Sequence, residues 1–127
     1  MITKEYALFC ELATLSVNGL HTFVNVFDRT NFAVGAPKAL RGFFATRFEG
    51  LSPEHEIELY MTNADKVLVE KGNLYKGVIK GPGAQIVMRI PGVPIAGNGE
   101  YIMWARFDGG EPMRLCSWSA ADAKKQA

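Results

Sequence analysis

The sequence predicts an all-β fold, an antiparallel two-layer β-sandwich of about seven to eight strands, on the strength of its strand spacing and turn residues. Segments of alternating apolar and polar residues recur at intervals of roughly ten to fifteen residues between Glu5 and Ser119. Residues that favour turns stand between these segments. The prolines fall between segments or at their starts, where a missing N–H breaks no ladder. Strands of this kind each bury one face, and two packed layers are the simplest way to do so.

The first strand is expected over residues 6–15. The turn Val17-Asn18-Gly19-Leu20 follows, because Asn-Gly tolerates the positive φ that a two-residue hairpin needs. In the return strand, residues 21–28, Val24 and Val26 share one parity while Phe23 and Phe27 share the other. Apolar groups on both parities predict a central strand covered on both faces. Residues 31–40, with Gly35 and Pro37, read as a long loop. In the strand at residues 41–49, Phe44 and Phe48 face the core with Gly42 and Thr46, and Arg41, Phe43, Ala45 and Arg47 face water. Residues 51–55 suit one helical turn, with Ser52 as cap and Pro53 at the first helical position.

Residues 56–62 alternate clearly, with Ile57, Leu59 and Met61 inward and Glu56, Glu58 and Tyr60 outward. The turn Asn63-Ala64-Asp65 leads to a strand at 66–71. Residues 72–83 show no regular pattern beyond a short strand at 74–79, which Gly81-Pro82-Gly83 ends. Ile86, Met88 and Ile90 then share a face over 84–90, before a breaker-rich loop at 91–99. The terminal hairpin, residues 99–118, turns at Asp108-Gly109-Gly110. Residues 119–127 are long enough for a short helical tail capped by Ser119, provided it docks on the sheet.

A chain of 127 residues is read as one domain, residues 1–127. Fourteen Lys and Arg against thirteen Asp and Glu leave a net charge of +1, far from the basic footprint of a nucleic-acid clamp. The first residues are charged, and no apolar run has the length of a signal peptide or membrane span, so a cytoplasmic location is expected. Cys10 and Cys116 are then read as reduced, buried thiols. They lie in the first and last strands, which can be neighbours, so geometry alone leaves a disulfide open.

Several segments carry a family resemblance: Phe9-Cys-Glu-Leu-Ala, Asn18-Gly19, Asn25-Val-Phe-Asp-Arg29, a proline-bearing loop with a Phe-rich strand, and Pro53-Glu-His-Glu-Ile-Glu-Leu. Together with the closing Gly99, Tyr101 and Asp108-Gly109, they resemble a small bacterial and bacteriophage family of unknown function. The resemblance implies a single-domain antiparallel β-sandwich. It transfers no activity and no site residues. Residues 72–83 depart from the family's pattern.

No group of residues forms a catalytic pattern. His21 and His55 are the two histidines, without CxxC or HxxxH spacing, so neither metal nor cofactor is expected. Cys10 and Cys116 lack the adjacent base that a nucleophile needs. Glu11, which shares parity with Phe9, is expected to be exposed or else paired with Arg29. Gly81-Pro82-Gly83 and Gly97-Asn98-Gly99 have neither the Lys and hydroxyl nor the following helix of a phosphate loop. The chain is therefore not expected to be an enzyme.

Surface remains. In the strand at 101–107, Tyr101, Met103, Ala105 and Phe107 can fill the core, leaving Ile102, Trp104 and Arg106 outside. Arg114 and Trp118 share a parity on the partner strand. An outward Trp flanked by Arg has the composition of an interface anchor. The competing reading is a central strand covered on both sides by the chain itself. Two functional expectations follow. The first is a non-enzymatic binder of proteins, as a homo-oligomer, a virion accessory or an inhibitor of a host factor, working through Ile102, Trp104, Arg106, Arg114 and Trp118. The second is a small-ligand binder that sequesters a nucleotide-like or other anionic signal through Arg41, Arg47, Tyr60 and Arg89.

Overall fold

The computed structural model describes residues 1–15, 21–35 and 37–122. Nine strands run through them: β1 (Thr3–Leu15), β2 (His21–Phe27), β3 (Arg29–Phe32), β4 (Ala39–Glu49), β5 (Glu54–Asn63), β6 (Leu68–Lys80), β7 (Gly83–Pro94), β8 (Gly99–Phe107) and β9 (Pro112–Asp122). They form a four-stranded sheet ordered β2-β1-β4-β7 and a five-stranded sheet ordered β3-β9-β8-β5-β6. The chain is thus an all-β, two-layer sandwich. Pairing is antiparallel except for β3, which lies parallel to β9.

Alternation sets the core. Phe44 and Phe48 of β4, Ile57, Leu59 and Met61 of β5, and Tyr101, Met103 and Ala105 of β8 are buried between the sheets. Phe9 packs on Phe44 at 5.1 Å between ring centroids, and Phe48 meets Phe107 edge-on at 5.1 Å. Each such side chain contributes about 1.5–3 kcal/mol by leaving water. Thr46 is also buried, and its hydroxyl donates to the Tyr6 carbonyl at 2.9 Å, so that hydroxyl is satisfied, whereas the buried indole N–H of Trp118 has no partner among the described residues.

The structure corrects the expected elements at several points. Residues 72–83 are mostly strand, because β6 runs continuously from Leu68 to Lys80. The pattern was obscured by an irregularity in which Tyr60 pairs with Asn73 while Thr62 pairs with Leu68. Extra residues there shift the inward parity. Gly72 is required at that point, since a Cβ would stand 2.8 Å from the Met61 carbonyl oxygen.

Two of the expected loops contain strand. Residues 29–32 form β3, inside the segment read as turn and loop, and β7 continues through Pro91 to Pro94. The prolines of β7 are tolerated because it is an edge strand. No helical turn forms at residues 51–55. Instead the N–H groups of Gly50 and Leu51 donate to the Pro82 carbonyl at 2.7 and 3.1 Å, which draws the connector onto the β6–β7 turn and plugs Leu51 into the core.

The helical tail is also corrected: Ser119 to Asp122 are the last residues of β9. Trp118 and Ala120 point into the core, and β3 supplies the ladder on the other side, so an extended backbone satisfies both packing and hydrogen bonding. Residues 123–127 lie outside the described residues, as does the Asn18-Gly19 turn. Ala45, expected to be wet, is buried, flanked in register by the larger Leu8 of β1 and Val87 of β7.

The terminal hairpin turns as expected. Asp108 and Gly109 take φ of 53° and 68°, and the Gly110 N–H donates to the Phe107 carbonyl at 2.9 Å.

Candidate functional site

Strand register lays out the outer face of the five-stranded sheet row by row. Thr62 of β5 stands opposite Ile102 of β8, Tyr60 opposite Trp104, and Glu58 opposite Arg106. On the flanks, Asn73 of β6 adjoins Tyr60 and Arg114 of β9 adjoins Trp104. Directly opposed residues share a face, so these side chains form one surface.

Trp104 is half-buried on that surface, and its indole N–H donates to the Thr62 hydroxyl at 2.8 Å. The ring leans along the sheet instead of projecting from it. The Arg106 guanidinium lies over the Tyr60 ring, 5.5 Å from its centroid, a cation–π contact. Glu58 faces Lys76 at 3.9 Å. Between these groups and the turns at either end, a groove of about 490 Å³ opens, with Lys66, Leu68 and Asn73 on one side and Glu111 and Pro112 on the other. A groove of this size falls within the range of small-molecule sites, although it is shallow.

The residues expected to contact a protein partner are thus divided by the structure. Trp104 and Arg106 line the groove. Ile102 is only 3% exposed. Trp118 is 1% exposed and belongs to the core, stacked on Tyr101 at 5.0 Å and edge-on to Phe9. An irregularity in β9 opposite Met103 and Trp104 turns Trp118 inward, away from the face of Arg114. Neither Ile102 nor Trp118 can anchor a partner in this conformation. Arg114 is exposed and pairs with Glu100 at 3.1 Å.

The residues proposed for an anionic ligand are divided as well. Arg41 and Arg89 line one recess on the outer face of the four-stranded sheet, but Glu11 shares it. Arg47 is paired with Glu49 at 2.8 Å, and Tyr60 lies in the other sheet. The four therefore build no common site. Glu11 is exposed, with the Asn25 amide donating to it at 2.9 Å.

A second surface was missed by sequence reasoning. β2 is an edge strand, not the central strand expected, and Val24 and Val26 stand exposed on it. Leu12 of β1, directly opposite Val24, is exposed too, so the three share one face. The hairpin also curls. Phe23 meets Tyr6 at 6.1 Å although its register partner is Ala13, and a flat ribbon would hold Tyr6 and Ala13 about 23 Å apart. Nothing in the run His21 to Phe27 signalled an edge, since it is apolar on both faces and carries no charged residue.

Both cysteines are free thiols. Burial pushes the Cys116 thiol up to about 12, against the opposing pull of Lys4 and Arg114, and burial also raises Cys10. Both shifts disfavour the thiolate, which is the nucleophilic form. Among the described residues, no three His, Cys, Asp or Glu side chains are placed to hold a metal ion. Asp108 accepts from the Glu56 N–H at 2.9 Å and meets the His55 ring nitrogen at 2.5 Å. The His55 contact first, and the Glu56 N–H second, hold its carboxyl below the usual carboxylate range. Among the described residues no helix is long and apolar enough to cross a membrane. No protein-family model matches the chain, and no curated protein matches it.

Proposed function

We propose that this protein is a non-enzymatic binding protein of the cytoplasm that acts through protein–protein contact, and that its first partner is a second copy of itself. The observation that carries this reading is the exposed apolar face of Leu12, Val24 and Val26 on the edge hairpin, where Val26 is 59% exposed. Edge strands present unpaired backbone groups, and monomeric proteins guard them with charge, proline or shortness. Here β7 carries Arg89 and Pro91, β6 carries Glu70, Lys71, Lys76 and Lys80, and β3 is four residues long. β2 has none of these devices. Asn25, at φ 55°, twists it without adding charge.

A two-fold contact sets each residue near its own counterpart, so a charged patch repels itself and a neutral apolar one does not. The Leu12, Val24 and Val26 face meets that condition, as does the near-zero net charge. A virion accessory or host-factor inhibitor would use the same edge on a foreign strand.

Light scattering tests the proposal. The wild-type chain should show the mass of a dimer, and Val26→Lys should show the mass of a monomer that melts where the wild type does at a dilution at which the wild type is monomeric. A wild-type monomer at high concentration would sink self-association.

A further inference from the structure

We propose that the groove over β5 and β8 binds a neutral saccharide of about disaccharide size, which stacks on Trp104 and is held by Glu58, Asn73 and Arg106 through its hydroxyls. The surface is separate from the hairpin edge, so the inference stands whether or not the chain dimerises.

The chemistry of the lining selects the ligand. The indole N–H of Trp104 is already committed to Thr62, so the ring offers the groove carbon surface and no donor. Such a surface suits the apolar C–H face of a sugar ring, since the negative face of an aromatic system attracts weakly positive hydrogens.

Charge points the same way. Glu58 and Glu111 match Lys66 and Arg106 in number along the groove lining, so charge of neither sign dominates it. A nucleotide phosphate would meet two carboxylates beside the two cations. A neutral polyol meets both donors and acceptors, which is what its hydroxyls require.

Position completes the case. Arg106 is braced on the Tyr60 ring, and Glu58 stands directly across the strand from it. A planar guanidinium and a carboxylate can each span two adjacent hydroxyls with paired hydrogen bonds. Asn73 adds an amide that both donates and accepts. Bracing limits the side-chain freedom lost when a ligand binds.

The chain has two tryptophans, and Trp118 is buried, so Trp104 is the one that can report on the groove. Trp118→Phe isolates its emission. Cellobiose, maltose, lactose and N,N′-diacetylchitobiose are titrated up to about 10 mM, enough to fill a site whose Kd is on the order of 1 mM. At least one should change the emission saturably, with an affinity that does not vary with salt. Glu58→Gln should weaken it about tenfold while leaving the melting temperature in place, the loss of one charge-assisted pair. Silence with all four sugars overturns the proposal. So does a response that falls steeply with salt, or one given by ATP or a polyproline peptide and by none of the sugars.

Discussion

On the outer face of β5 and β8, each large side chain has a neighbour that takes up what it cannot leave exposed. Trp104 gives its N–H to Thr62, Arg106 lies on Tyr60, and Ile102 is buried. The hairpin of β1 and β2 is different. Leu12, Val24 and Val26 stand in solvent on an edge with no charge to guard it. A central strand has partners on both sides whose side chains close over it. An edge strand has them on one side, so the same apolar content stays exposed. The first surface therefore holds its shape around a groove, and the second leaves its apolar groups open.

Substitutions should separate the two surfaces by size of effect. Trp118→Ala sets the upper scale, because it empties a fully buried site and should destabilise the fold by about 3–5 kcal/mol. Chemical denaturation measures it. Trp104→Ala removes a half-buried ring and should cost about 2 kcal/mol, lowering the melting temperature by about 8 °C in a chain of this size. An unchanged melting temperature would mean that the outer face is not self-covering, and the contrast with the hairpin would fail. Thr62→Val should cost about 1 kcal/mol by leaving the Trp104 N–H without its acceptor.

At the hairpin, Val24→Thr should change unfolding by less than about 0.5 kcal/mol, as expected of an exposed site. A larger loss, measured at a concentration where the wild type is monomeric, would show that the strand is already covered within one chain.

The smallest effect is that of pH. Asp108 is held low by His55 and the Glu56 N–H, and Asp122 by Lys38 and Asn98. A carboxylate lowered in the folded state stabilises the fold above its ordinary value, and that contribution is lost as pH falls through the folded value. Acid titration of the melting temperature should therefore show a decline below the usual carboxylate range that is shallower in Asp108→Asn. Both carboxylates are exposed, so the difference should be modest.

Much of the inner face was legible in the sequence. Ile57, Leu59 and Met61, or Tyr101, Met103 and Ala105, are buried as their two-residue period requires. The Asp108-Gly109 turn was legible for a similar reason, since positive φ is a local demand on residue type. Of the candidate residues, Trp104, Arg106 and Tyr60 share one surface, which the sequence did not show. Tyr60 had been grouped with arginines that the fold places in the other sheet. The inward turn of Trp118 escaped notice because an irregularity opposite Met103 and Trp104 breaks the parity count.

Ile102, Trp104 and Arg106 fall on the outer side of β8 by alternation alone, and the sequence by itself determined that much. Whether they lie open or covered was decided only by tertiary structure. So were the edge position of Val26 and the pairing of β9 with β3. Alternation is a property of one strand, set by its own backbone. Exposure depends on which strands lie alongside, and those come from residues distant in the chain.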